Sequence, residues 1–276
     1  MQFGISTFFY TRKPVREVIR EALSAGITAI ELMYDLPQAG QMDSSFIDTM
    51  CAYKEQGVVF SMHAPFLEVN LGSFFKEIRD FSLKRIKKAI DVACRIGCDP
   101  IVLHPGYTFM YKIEDIWLTT YDYFIEDLHE IVHYGTERDL RIGLENVYIP
   151  HFFFSSPTQF KQFHSLIPGV HCTLDIGHAF LTKRLKGEQD PEGAMLNDID
   201  EIGIDNIIHV HIHNNNGLRD DHLFLTGQID LRRILQGLSE RGYNGKVIIE
   251  SYDMEEHGID RIIEKLKSIA PCHGKI

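Results

Sequence analysis

The feature that most constrains this chain is an alternation repeated eight times, in which a short apolar run is followed by a longer stretch of helical period. The runs are FGIST (3–7), AIELM (29–33), VVFSMH (58–63), PIVLHP (100–105), IGLEN (142–146), HCTLDI (171–176), IIHVHIH (207–213) and VIIES (247–251). Stretches such as VREVIREALSAG and LRRILQGLSERG lie between them, with apolar residues at three- and four-residue spacing and a glycine where a helix should stop. Eight such units in 276 residues argue for an α/β fold closed as a single (β/α)₈ TIM barrel, one domain over 1–276. No GxGxxG follows the first run, so an open dinucleotide-binding sheet is disfavoured.

In a barrel of this kind the reactive groups sit where strands end and loops begin. Here those ends are chemically uniform: His63, His104, Glu145, Asp175, His211 and Glu250 close strands 3 to 8, with His178 just after strand 6 and Asp220 and His222 in the loop after strand 7. Imidazoles and carboxylates suit zinc, manganese or cobalt. Burying several carboxylates together without a cation would cost several kcal/mol or force them to protonate, and a divalent metal cluster removes that conflict. In HVHIH, His209, His211 and His213 share one face of the strand. His211, nearest the end, is the expected ligand among the first two, His209 packs deeper, and His213 orients substrate. Asp221 is expected in solvent.

The formal charge of −11 argues against non-specific attraction to nucleic acid or anionic lipid. The five cysteines, Cys51, Cys94, Cys98, Cys172 and Cys272, are odd in number and lack a CxxC pair, so free thiols are expected rather than a disulfide framework or zinc ribbon. The N-terminus has no signal-peptide pattern and no apolar run approaches a membrane span. A cytoplasmic protein is the expectation.

Taken together, HAPFLEVNLGS, LHPG, GLEN, LDIGHAF, HVHIHN, DDH, TGQID and IIES resemble the xylose-isomerase-like barrels, a superfamily holding sugar isomerases and epimerases together with endonuclease IV. The resemblance runs from strand 2 onward. It implies a core site for one divalent metal at Glu145, Asp175, His211 and Glu250. Endonuclease IV adds two zinc positions, which here match His63, His104 and Glu145 in one and His178, Asp220 and His222 in the other. Two or three ions, zinc or manganese, are therefore expected.

Two functions from different reaction classes follow. In the first, a sugar or sugar phosphate chelates the core metal while Glu145 and Glu250 move a proton at the carbon next to the carbonyl. In the second, the metals serve an endonuclease-IV-like zinc phosphodiesterase, or a related phosphoester hydrolase, with duplex DNA as the partner. The ligand set favours hydrolysis. The loops favour a small substrate, because those after strands 2, 3, 4, 5 and 8 carry Lys112 as their one cation and GISTFFYTRKP replaces the polar first-strand motif of the endonuclease. Sugar isomerisation or epimerisation ranks first. Phe66 and Leu67 are expected to roof the pocket, and the YIPHFFF cluster (148–154) to form its wall or a contact in a homo-oligomer. Lys183 and Arg184, with Lys186 and Arg219 nearby, are the cations expected to meet a phosphate or carboxylate on the substrate.

Overall fold

The computed structural model describes residues 1–10, 12–271 and 274. Eight parallel strands close on themselves, each paired with its neighbours in chain order and the first with the last. They are β1 (Gln2–Ser6), β2 (Ala29–Met33), β3 (Val59–His63), β4 (Ile101–Leu103), β5 (Ile142–Glu145), β6 (Val170–Asp175), β7 (Ile207–Ile212) and β8 (Lys246–Ile249). The expected (β/α)₈ barrel is therefore the observed one.

The main helices are α1 (Val15–Ser24), α2 (Ser44–Glu55), α3 (Lys76–Ile96), α4 (Glu114–Thr136), α5 (Phe160–Leu166), α6 (Ile176–Leu185), α7 (Pro191–Ile202), α8 (Leu231–Glu240), α9 (Asp253–His257) and α10 (Ile259–Ile269). Helix α8 buries one stripe against the barrel, turning Leu231, Ile234, Leu235 and Leu238 inward, and begins at Asp230, whose carboxylate accepts the Arg233 N–H. Helix α3 stops at Gly97, whose φ of 78° lies in the left-handed region. Two helices, α6 and α7, separate β6 from β7, one more than the simple alternation requires.

Register places the ligand candidates side by side. Asp175 pairs with His211, Glu145 with Thr173, and His63 with Val102, all at the ends where the strands leave the sheet. Below this level the barrel interior is polar. Glu31 on β2 accepts from Ser61 on β3 at 3.0 Å, and His209 on β7 lies 2.8 Å from the same carboxylate. Cys51 and Cys94 are half-buried, Cys98 and Cys172 buried, and all four are free thiols. Cys272 lies outside the described residues. Among the described residues no helix is long and apolar enough to cross a membrane.

Candidate metal centre

Four histidines at the C-terminal end of the barrel are held in the same manner. A backbone carbonyl can only accept, so a ring nitrogen facing one carries the proton. His63 turns Nδ1 to the Ala64 carbonyl at 2.7 Å, His178 to that of Asn146 at 2.9 Å, His222 to that of Glu250 at 3.3 Å, and His213 to that of Asn214 at 3.4 Å. The opposite nitrogen then faces a carboxylate. His63 and His104 both bring Nε2 to 3.3 Å from Glu145 Oε2. His178 and His222 bring Nε2 to 3.1 Å from Asp220 Oδ2, and His213 brings Nε2 to 3.1 Å from Asp175. A bare imidazole nitrogen and a carboxylate are both acceptors, so a proton or a metal cation must lie between them.

His211 faces a carboxylate at both ring nitrogens. Its Nε2 lies 2.9 Å from Glu31 Oε1, while Nδ1 points at Glu145 (3.1 Å) and Glu250 (3.5 Å). The residues form three ligand groups, in each of which the donor atoms lie within 4.8 Å of one another: His63, His104 and Glu145; Glu145, Asp175, His211 and Glu250; His178, His213, Asp220 and His222. All nine ligand candidates named from the sequence fall into these groups, with Glu145 shared by two. The buried Asp175 Oδ2 and Asp220 Oδ1 have no hydrogen-bond partner, and the donor set is that of a zinc- or manganese-type site. The residues therefore fit divalent metal.

The electrostatics agree with that fit. Burial pushes Glu250 up to about 7, aided by the charges of Glu145 and Glu31. Burial raises Glu145 too, but His211 and His104 outweigh it and hold the carboxyl well below its ordinary range. Burial works against charge on His178, yet Asp175 and Asp220 push it up to about 10. His209, buried beside Glu31, is driven down to about 4 and stays neutral.

Local backbone is spent on this arrangement. His222 has φ of 44°, a left-handed conformation that costs a non-glycine residue on the order of 1–2 kcal/mol. It is fixed there by its carbonyl, which accepts from Tyr252 N, and by the Asn214–Leu223 bridge that closes the loop. Gly177 lies directly beneath the His213 ring, where a Cβ would approach within 2.0 Å of Cε1, so only glycine leaves that imidazole room.

The substrate-side residues divide. Phe66 is in place, its ring 4.8 Å from His104, and the loop carrying it is tied by the Phe66 and Leu67 N–H groups, both donating to Asp35 Oδ2 at 2.9 Å. His213 lies deeper than expected, buried and stacked on His222 at 3.9 Å, among the candidate ligands rather than over the cavity. Lys183 requires correction: it is buried with Nζ 2.7 Å from Asp198 on α7, and neither it nor the exposed Arg184 lines the cavity. Its stem was needed for packing between α6 and α7, and the ammonium took the nearest acid. Asp221 is partly buried; it accepts from Asn216 N and pairs with Arg219, so it shapes the loop. Of the YIPHFFF cluster, Tyr148, Ile149 and Phe152 line the cavity, while Phe153 and Phe154 are core.

Glu31, Ser61 and Asn146 were missed. The signal for Glu31 was present as an acid between Ile30 and Leu32 in an otherwise apolar strand, on the face opposite its neighbours. Asn146 locks β5 to β6, accepting from Asp175 N at 2.9 Å and donating to the Asp175 carbonyl at 3.0 Å.

Known proteins place this geometry in context. The family model described as xylose isomerase-like TIM barrel matches residues 19–272. Two uncharacterised proteins of Methanocaldococcus jannaschii are 29% identical over 98% of this chain and 99% of theirs, and 31% identical over 93% and 85%. A Haemophilus influenzae protein whose name provisionally assigns it as an L-ribulose-5-phosphate 3-epimerase is 27% identical over 72% of this chain and 68% of its own. Among solved structures, a D-tagatose 3-epimerase-like protein superposes with a TM-score of 0.80 at 24% identity, covering 97% of this chain and 95% of that one.

Proposed function

From the premise that the chain belongs to the xylose isomerase-like TIM-barrel family, we propose that it is a divalent-metal-dependent sugar isomerase or epimerase. The observation that carries the reading is the paired orientation of every cluster histidine whose two ring nitrogens are both accounted for, one nitrogen on a fixed acceptor and the other on a carboxylate. The similarity to sugar epimerases supports the substrate class.

Glu145, Asp175, His211 and Glu250 would hold the core ion. When bound, the metal would polarise two adjacent substrate oxygens and acidify the C–H next to the carbonyl. Glu145, kept ionised by His211 and His104, is suited to remove that proton. Glu250, which lines the same cavity, is suited to return a proton to the carbon or its oxygen. Both carboxylates line the cavity, so both can reach a bound sugar. Phe66 and Tyr148 cover the cluster and exclude water from the reacting carbon.

The second reading, an endonuclease-IV-like phosphoester hydrolase, is favoured by the two additional ligand groups, since a sugar isomerase needs only the core set. Protein purified without added metal should carry divalent ions, and should exchange solvent deuterium into a ketose when assayed by NMR. Cleavage of abasic duplex DNA at a catalytic rate without ketose exchange would overturn the reading in favour of the hydrolase.

A further inference from the structure

The cavity above the ligand cluster, about 370 Å³, has an unusual division of its walls. Every charged or imidazole group in it belongs to the ligand groups: His63, His104, Glu145, His178, Asp220, His222 and Glu250. The remaining lining is aromatic and aliphatic, led by Phe8, Phe66, Tyr148, Ile149, Phe152 and Tyr252. Among the described residues, no lysine, arginine, serine, threonine, asparagine or glutamine lines it. Lys183 is paired with Asp198, Arg219 with Asp221 and Arg85 with Asp35.

This wall excludes a charged far end. Away from the ligand groups the wall carries no lysine or arginine among the described residues, so a dianionic phosphate at the far end of a substrate would be buried against aromatic and aliphatic side chains with no compensating charge. It also disfavours a densely hydroxylated one. Among the described residues, the hydroxyls beyond the cluster on the wall side chains are those of Tyr148 and Tyr252, so further sugar hydroxyls buried there would lose water with few side-chain partners to gain. Phe66 stacks on His104 and touches Phe8 (5.4 Å), Phe9 packs on His222 (4.8 Å) and Tyr148 on His178 (5.8 Å), so the apolar collar begins directly at the ligands.

We propose that the substrate is an uncharged sugar with an apolar far end, either a deoxygenated carbon or an alkyl or aryl substituent, which packs against Phe66, Tyr148 and Phe152 while its vicinal oxygens face the cluster. The proposal rests on the isomerase or epimerase reading of the same site and narrows its substrate. Of the sugar or sugar phosphate expected from the sequence, it retains the first and sets aside the second.

The test uses matched sets of ketohexoses, each as the parent sugar, its 6-deoxy form and its 6-phosphate, so that stereochemistry is constant within a set. Metal-loaded protein is assayed for deuterium uptake next to the carbonyl. The deoxy form should exceed its parent in kcat/KM about tenfold, and the phosphate should fall at least tenfold below it. Phe152→Arg should raise the phosphate form at least tenfold relative to its parent; should that variant not fold, the wild-type sets decide alone. A phosphate form reacting as well as its parent overturns the proposal and leaves the isomerase reading standing. No exchange with any sugar overturns both.

Discussion

The two ends of the barrel carry charge in opposite ways. At the N-terminal end a cavity of about 590 Å³, larger than that above the ligand cluster, is lined by Lys54, Asp99, Arg141, Tyr243 and Lys246. There the charged groups find partners within the chain: Arg141 grips both Asp99 oxygens, Lys246 reaches the Asp99 carbonyl, and Lys54 donates to the Gly97 carbonyl at 2.8 Å. At the C-terminal end acids and imidazoles crowd together without a lysine or arginine among the described lining residues. Cavity size therefore does not identify the functional end. Uncompensated charge does, because only a ligand from outside the chain can complete it.

The strongest way to break this contrast is Glu145→Ala, which removes the carboxylate shared by two ligand groups. Most bound metal should be lost by elemental analysis, and turnover should fall by about 10²–10⁴-fold, the range for a general base. Full metal retention would mean that Glu145 is not a ligand and that the two groups do not share an ion-binding carboxylate.

Glu31→Gln comes next. Glu31 is fully buried, and its carboxylate fixes His211 so that Nδ1 faces the metal position. Partners of this kind are typically worth 10–100-fold in metal affinity. Competition with a chelator should show a loss of that size while circular dichroism stays native. If melting temperature falls but affinity does not, Glu31 serves packing alone.

A third effect is the pH dependence of metal uptake. Glu250 is protonated below about 7 and His178 below about 10, and each must give up its proton to become a ligand. Affinity should therefore rise with pH between 6 and 8, up to about tenfold per unit for each proton displaced. A flat profile would show that neither residue binds the ion.

How much of this was legible depended on whether a signal was repeated. The barrel could be read because eight apolar runs imposed one period, and the ligands because six strands ended alike. Glu31 sits one layer lower, inside a strand, where a lone acid reads as an interruption; only closure of the barrel brings it to His211. Lys183 failed for a complementary reason. Its place beside His178 in sequence said nothing of Asp198, a helix away, and in a folded chain a buried ammonium goes to the acid that packing supplies. His213 looked like a substrate contact because its strand ends there, whereas the glycine that seats its ring lies on α6.

The smallest expected effect sharpens the comparison from the other side. Asp99→Asn removes the acid at the centre of the N-terminal network, whose side chain keeps 41% of its exposure. Burial raises this carboxyl, but Arg141 outweighs it and lowers it below its ordinary value. The sign follows: the ionised form is favoured in the folded state, so its contribution is fully present above the ordinary carboxylate range and lost as pH falls through the lowered value. Solvent screening at that exposure limits the pair to about 0.2–1 kcal/mol. The variant should melt no more than about 4 °C below the parent at pH 7, with the gap closing in acid, and its metal content and deuterium exchange should be unchanged. A loss of bound metal in Asp99→Asn would show that the two ends are coupled through the barrel, and the charges of the N-terminal cavity would then belong to the functional machinery.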